Sequence, residues 1–283
     1  MDITPLSPTG FATEVVGLDV RQLSQRVFSD CVHALGRHRV LVFRHQTLEP
    51  TDFLAFGKRW GTPSPHVLNH LRMPGVPEIM QIGNIGETDR GAQVHHGADY
   101  WHTDLSYEAE PASATMLYSV LAPTQGGETQ FADMVRAHAS LPRDVRERIK
   151  DYQIEHEYGA ASRGKVAAIN DQQRSTVPAA VTHPLVRTHP LHKTQSLYAL
   201  TGTPKRVQSL DDEASEALLT TLRAHALSET FIYRHPYRVG DLVIWDTTTT
   251  LHAASTIPRA TGRHDRRYLW RISVKGMPDK VAE

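Results

Sequence analysis

The stretch Tyr100-Trp101-His102-Thr103-Asp104 decides how the rest of the chain is read. On extended backbone, residues i and i+2 project to the same side, so His102 and Asp104 can approach one metal ion. An imidazole and a carboxylate so placed fit a histidine–carboxylate iron(II) site that needs one more histidine. That histidine has to come from far downstream, on a strand brought close in space. A β scaffold is therefore the first expectation.

The 283 residues suit one large domain or two small ones, with a substantial core, and in the absence of a clear boundary a single domain spanning 1–283 is expected. With 22% charged residues and zero formal net charge, nothing points to nucleic acid or another polyanion. The single cysteine, Cys31, excludes an intrachain disulfide and fits a reducing compartment. No signal-like segment and no long apolar run appear, so a cytoplasmic protein with no membrane partner is expected. A homo-oligomer is the expected assembly.

Phe11 to Asp19 reads as a first strand. Leu23, Val27, Cys31 and Leu35 form a helical stripe that Gly36 is expected to end. Arg39 to Phe43 reads as a buried strand. Glu49-Pro50 opens a second helix with Phe53, Phe56 and Trp60 on one face, stopped at Gly61. Residues 62–76 read as loop and Glu78 to Ile82 as strand. Asn84 to Ala98, with three glycines and two adjacent histidines, reads as a mobile loop and candidate lid.

Thr115 to Val120 and Glu128 to Phe131 read as strands around a turn at Gly126-Gly127, with helices expected over 134–139 and 142–150. Gly159 to Pro178 is polar and aperiodic and reads as a loosely ordered insertion. His183 to Arg187 and Ser196 to Leu200 look like a strand pair. Ser209-x-x-Asp212 resembles a capping box ahead of Leu218, Leu219 and Leu222. Phe231 to Tyr233, Asp241 to Trp245 and Tyr268 to Val274 read as closing strands. The pattern predicts a mainly β fold with flanking helices, a sandwich or jelly roll.

His252 is the best candidate for the third ligand, in the context Trp245-Asp-Thr-Thr-Thr-Thr-Leu-His252. Arg267 and Arg271, four apart on an expected strand, face one side. Inward guanidinium groups on an apolar strand are costly unless each meets an anion. Beside a metal they imply two carboxylate-like groups, from a co-substrate and a substrate; salt bridges to the protein's own acids are the alternative.

Trp101-His-Thr-Asp104, Gly126-Gly-Glu-Thr129, His183-Pro-Leu-Val-Arg-Thr-His-Pro190, Trp245-Asp246 with His252, and Arg267 with Arg271 occur in this order. The set resembles the taurine dioxygenase and 2,4-dichlorophenoxyacetate dioxygenase family of iron(II)- and 2-oxoglutarate-dependent oxygenases, from about residue 10 to 276. The resemblance implies a double-stranded β-helix (cupin-like jelly roll), with His102, Asp104 and His252 as iron ligands. It implies that Thr129 and Arg267 hold the distal carboxylate of 2-oxoglutarate, with Trp245 nearby, and that O2 is the other co-substrate. Arg271 stands where that family grips an anionic substrate group, with Tyr107, and His66 or His70, near the same pocket.

The resemblance further implies hydroxylation of a small anionic substrate with release of succinate and CO2. Related halogenases have a small residue at the position of Asp104, so its carboxylate argues for oxygenation. Desaturation, or another oxidative tailoring of a natural-product intermediate, would use the same site. A zinc hydrolase with the same ligands is a reading from another class, and it leaves Thr129 and the arginines unemployed. A β-sandwich that binds without catalysis is the third.

Overall fold

The computed structural model describes residues 1–85, 98–161, 169, 171–175 and 177–279. Its largest sheet has nine strands. Their order is Ile3–Pro5, Ala12–Val15, Val40–Phe43, Leu242–Asp246, Ala114–Leu121, Tyr268–Lys275, Val76–Gly83 and Arg72–Met73, with Thr62–Pro63 also beside Tyr268–Lys275. A three-stranded sheet runs Ile232–His235, Thr129–Asp133, Thr250–Ala254. Within the two sheets only Ala12–Val15 with Val40–Phe43 is parallel.

Strict alternation explains how the large sheet serves two cores. Successive strand residues point to opposite faces. Leu41, Phe43, Met116, Tyr118, Leu242, Ile244 and Ile272 pack on one face against Phe28, Phe53, Phe56 and Trp60. Those four aromatics come from the helices Gln25–His38 and Pro50–Trp60. Val40, Val42, Leu117, Val243, Trp245 and Leu269 turn to the other face and meet Phe131 of the small sheet. Both faces are apolar, which is why these strands read as unbroken hydrophobic runs. The far side of the small sheet, through Ala132 and Leu251, is covered by Leu218, Leu219 and Leu222 of the helix Asp212–Ala226.

Several local expectations change. The first helix does not stop at Gly36 but continues to His38. Arg39 ends it in the left-handed region (φ 62), its N–H donating to the Leu35 carbonyl. Gly36 answers a packing demand instead, since an added Cβ would lie 2.1 Å from the His192 ring. Asp211, rather than a Ser209 box, caps the helix Asp212–Ala226 by accepting from the Ala214 N–H at 2.8 Å. The proposed 183–187 strand divides, because Val181–Pro184 pairs with Gln153–Ala161 while Val186–Thr188 pairs with Gln195–Leu197. The threonine run is a turn that leads into the strand Thr250–Ala254, so His252 lies on a strand, as expected of the third candidate ligand. The Gly159–Pro178 insertion begins with the end of the Gln153–Ala161 strand and includes a short helix, Asp171–Arg174. The candidate lid falls almost wholly on residues 86–97, outside the described residues. No helix among the described residues is long and apolar enough to cross a membrane.

Phe131 is fully buried, packs edge-on to Trp245 at 5.2 Å and stands opposite His252 in the strand register. Phe131→Ala should cost about 3–5 kcal/mol by lost transfer energy and cavity formation, read by urea denaturation. A loss below about 1 kcal/mol would show that the two sheets do not depend on this contact.

Candidate active site

His102 and His252 form a two-residue antiparallel bridge. The His102 N–H donates to the His252 carbonyl at 2.9 Å, and the His252 N–H returns the bond at 3.0 Å. A pair that exchanges both bonds carries its side chains on the same face. The imidazole centroids are accordingly 4.1 Å apart. Asp104 follows at the start of a turn. Its Oδ1 lies 3.5 Å from His102 Nε2, and its Oδ2 lies 3.6 Å from His252 Nε2. One ligand atom from each residue falls within 4.8 Å of the other two.

The surroundings prepare these atoms. A carbonyl can only accept, so the 2.9 Å contact of His102 Nδ1 with the Tyr100 carbonyl fixes the proton on Nδ1. The Nε2 lone pair is thereby left facing the site. Burial pushes the His252 imidazole well below the usual histidine range, helped by His102 and against the pull of Asp104, so the ring is a neutral donor. Burial opposes ionisation of Asp104 too, but Arg271 and then the two histidines hold its carboxyl well below the usual range. The set is two imidazole rings and one carboxylate.

Asp104 is held from both sides. Arg271 Nη2 donates to Oδ1 at 2.7 Å, and Thr115 Oγ1 donates to Oδ2 at 2.7 Å. Arg271 Nη2 also reaches Ser273 Oγ at 2.8 Å, and Nη1 faces the Met80 sulfur at 3.4 Å. Part of the guanidinium expected to grip a substrate is therefore committed to the carboxylate beside it.

A cavity of about 160 Å³ joins these groups to the other expected residues. Thr129, Trp245, Arg267, Arg271, Tyr107 and His66 all line it. His70 does not and is exposed, so only the first of the two loop histidines reaches the pocket. Trp245 is fully buried, with its ring 4.7 Å from that of His252. Arg267 sits one residue before the strand Tyr268–Lys275 and is 1% exposed. Its backbone N–H donates to Asn84 Oδ1 at 2.7 Å, and Asn84 Nδ2 donates to the carbonyls of Pro258 and Asp265. The turn at Gly126-Gly127 passes so close that a Cβ on Gly127 would come 3.0 Å from Arg267 Cδ. Gly127 also has φ +74, which a larger residue adopts only with strain.

Four partners escaped the sequence reading. Tyr237, buried, shares a 2.9 Å hydrogen bond with Thr129 Oγ1, and Arg267 lies 6.0 Å from its ring centre. Tyr158 stands edge-on to Tyr107 at 4.9 Å in the cavity wall. Nothing local marks either tyrosine. Thr115 and Ser273 do carry a signal: each is a small hydroxyl residue inside a largely apolar strand.

With that geometry in place, the sequence matches the profile of the family described as taurine catabolism dioxygenase TauD, TfdA family over residues 2–273. The chain belongs to this family. Among relatives of the TauD/TfdA family, it is 30% identical over 276 residues to the alpha-ketoglutarate-dependent 2,4-dichlorophenoxyacetate dioxygenase of Cupriavidus pinatubonensis, covering 93% of this chain and 95% of that protein. It is also 30% identical over 281 residues to pentalenolactone F synthase of Streptomyces arenae, covering 93% of each. Among solved structures, a taurine dioxygenase from Burkholderia xenovorans superposes with a TM-score of 0.78 at 26% identity, covering 97% of this chain and 89% of that one. AAD-2 in complex with Mn(II) and N-oxalylglycine gives 0.79 at 28% identity, covering 99% and 100%. As a TauD/TfdA member the chain is an oxidoreductase of the 2-oxoglutarate-dependent dioxygenase class.

The buried histidines set an acid limit on the fold. Burial pushes His156 down to about 3 and lowers His235 and His252 as well. Unfolded, each takes up a proton near pH ~6.5 that the folded chain refuses, so stability falls as pH drops through that value. The metal-free protein should lose up to about 1.4 kcal/mol per histidine per pH unit below it, measured by urea unfolding at two pH values either side. An unfolding free energy unchanged across that interval would contradict this.

Proposed function

We propose that the chain is an iron(II)- and 2-oxoglutarate-dependent dioxygenase that hydroxylates a small organic anion, consuming O2 and releasing succinate and CO2. The observation that carries the reading is the His102–His252 bridge with Asp104 beside it, opening on a cavity that also contains Arg267 and Thr129. Two imidazole nitrogens and one carboxylate suit iron(II) and leave three positions open to small molecules. Bound iron(II) and 2-oxoglutarate supply the oxidising power for the C–H bond, and the protein supplies binding and orientation. The same reading takes the two sheets as a double-stranded β-helix, and residues 1–283 as one catalytic domain.

His102, Asp104 and His252 hold the metal in this scheme. Arg267 presents a planar fork of donors to the distal carboxylate of 2-oxoglutarate, and the Thr129 hydroxyl adds another. The apolar face of Trp245 keeps water from His252. Arg271, with Nη2 held by Asp104 and Ser273 and one Nη1 proton turned to the Met80 sulfur, offers its remaining N–H groups to an anionic group of the substrate. Tyr107 and His66 line the pocket around that substrate. The named activities of relatives support an anion, since they include sulfate ester and sulfonate dioxygenases as well as the phenoxyacetate enzyme.

Anaerobic addition of iron(II) and 2-oxoglutarate should produce the weak visible charge-transfer band of a chelated keto acid. Asp104→Ala should lose that band and all substrate-dependent succinate release, and full activity in this variant would sink the assignment. Arg267→Ala should weaken 2-oxoglutarate binding roughly 10- to 100-fold, the scale of a charge-assisted hydrogen bond. Unchanged affinity would remove Arg267 from the co-substrate site.

A further inference from the structure

Asp104, Thr115, Ser273 and Arg271 close a ring of four hydrogen bonds whose proton order can be worked out. Thr115 Oγ1 donates to Asp104 Oδ2 at 2.7 Å. A hydroxyl has one proton, so in its 2.8 Å contact with Ser273 Oγ the threonine oxygen must accept. Ser273 therefore donates to Thr115 and accepts from Arg271 Nη2 at 2.8 Å. The other Nη2 proton goes to Asp104 Oδ1 at 2.7 Å. Every proton in the ring runs from the guanidinium toward the carboxylate, one arm direct and one arm through two hydroxyls.

We propose that Thr115 and Ser273 are positioning residues that relay the pull of Arg271 to the far oxygen of Asp104 and so fix the carboxylate for the metal. The inference rests on the reading of Asp104 as a ligand. Thr115 and Ser273 face each other directly in the ladder between Ala114–Leu121 and Tyr268–Lys275, so backbone pairing sets their separation. Both are buried, Thr115 at 0% and Ser273 at 5% exposure, and water does not replace a missing link. Directed chains of hydrogen bonds in a low-dielectric interior strengthen one another. Partners of this kind orient metal ligands, and their loss typically weakens the metal 10- to 100-fold.

The test is the affinity of the metal-free protein for Co(II), followed by the visible bands of the bound ion, with folding checked by thermal melting. Thr115→Val and Ser273→Ala should each weaken Co(II) about tenfold or more and shift its bands. Thr115→Ser, which restores the hydroxyl, should bind like the parent. The double variant should be no weaker than Thr115→Val alone, because both substitutions cut the same arm. Should Thr115→Val not fold, Ser273→Ala and Thr115→Ser carry the comparison. A folded Thr115→Val with parental affinity and bands overturns the relay, as does a double variant whose loss is the product of the two single losses. Asp104→Ala separates the two levels: if it binds Co(II) as the parent does, the ligand assignment itself fails.

Discussion

Two backbone hydrogen bonds between His102 and His252 join segments far apart in the chain and set two imidazoles side by side. Neither ring could find the other through side-chain contacts alone, because an unpaired segment at 98–104 would be free to drift. The pairing extends to the Ala254 N–H, which donates to the Ala98 carbonyl at 2.8 Å. The 98–102 segment thus lies along the Thr250–Ala254 strand, which is anchored on its other side by Thr129–Asp133. The candidate metal centre inherits its precision from a β ladder rather than from a loop.

Charge is the second constraint. The cavity holds one buried carboxylate and two buried or half-buried guanidinium groups within a few residues of each other. Such charges are tolerated when paired and hydrogen-bonded. Asp104 and Arg271 pair directly, Thr115 adds a hydrogen bond to the carboxylate and Ser273 accepts one from the guanidinium. Arg267 is placed differently, through its backbone, by Asn84 on one side and the close pass of Gly127 on the other. One arginine therefore answers to Asp104 and the other to the far end of the cavity. The two are not equivalent, although the sequence spaces them like a pair.

Much of this site was legible before folding was considered. The His102–Asp104 spacing and the inward pair Arg267 and Arg271 follow from period-two alternation, the buried strand ending at Trp245 from its unbroken apolar run, and the structure brings them to one cavity. The errors cluster where a residue's reason is tertiary. Gly36 looked like a helix stop because glycine often is one, but its role is to admit the His192 ring. Tyr237 and Tyr158 carry no local mark, since an isolated tyrosine has the same sequence signature in a core, on a surface and in a pocket.

The sequence by itself determined which atoms were on offer: two imidazoles, a carboxylate and two guanidiniums on or beside extended segments. It also determined the two-sided apolar strands that force a sheet with cover on both faces. Side-chain identity and backbone period are local properties, so both can be read in order along the chain. Only the tertiary structure decided which atoms meet. It placed His252 rather than another of the seventeen histidines against His102. It committed part of Arg271 to Asp104, chose His66 over His70, and supplied Thr115 and Ser273 as the links between them. Those outcomes depend on strand register and sheet packing, where a shift of one residue turns every side chain to the opposite face.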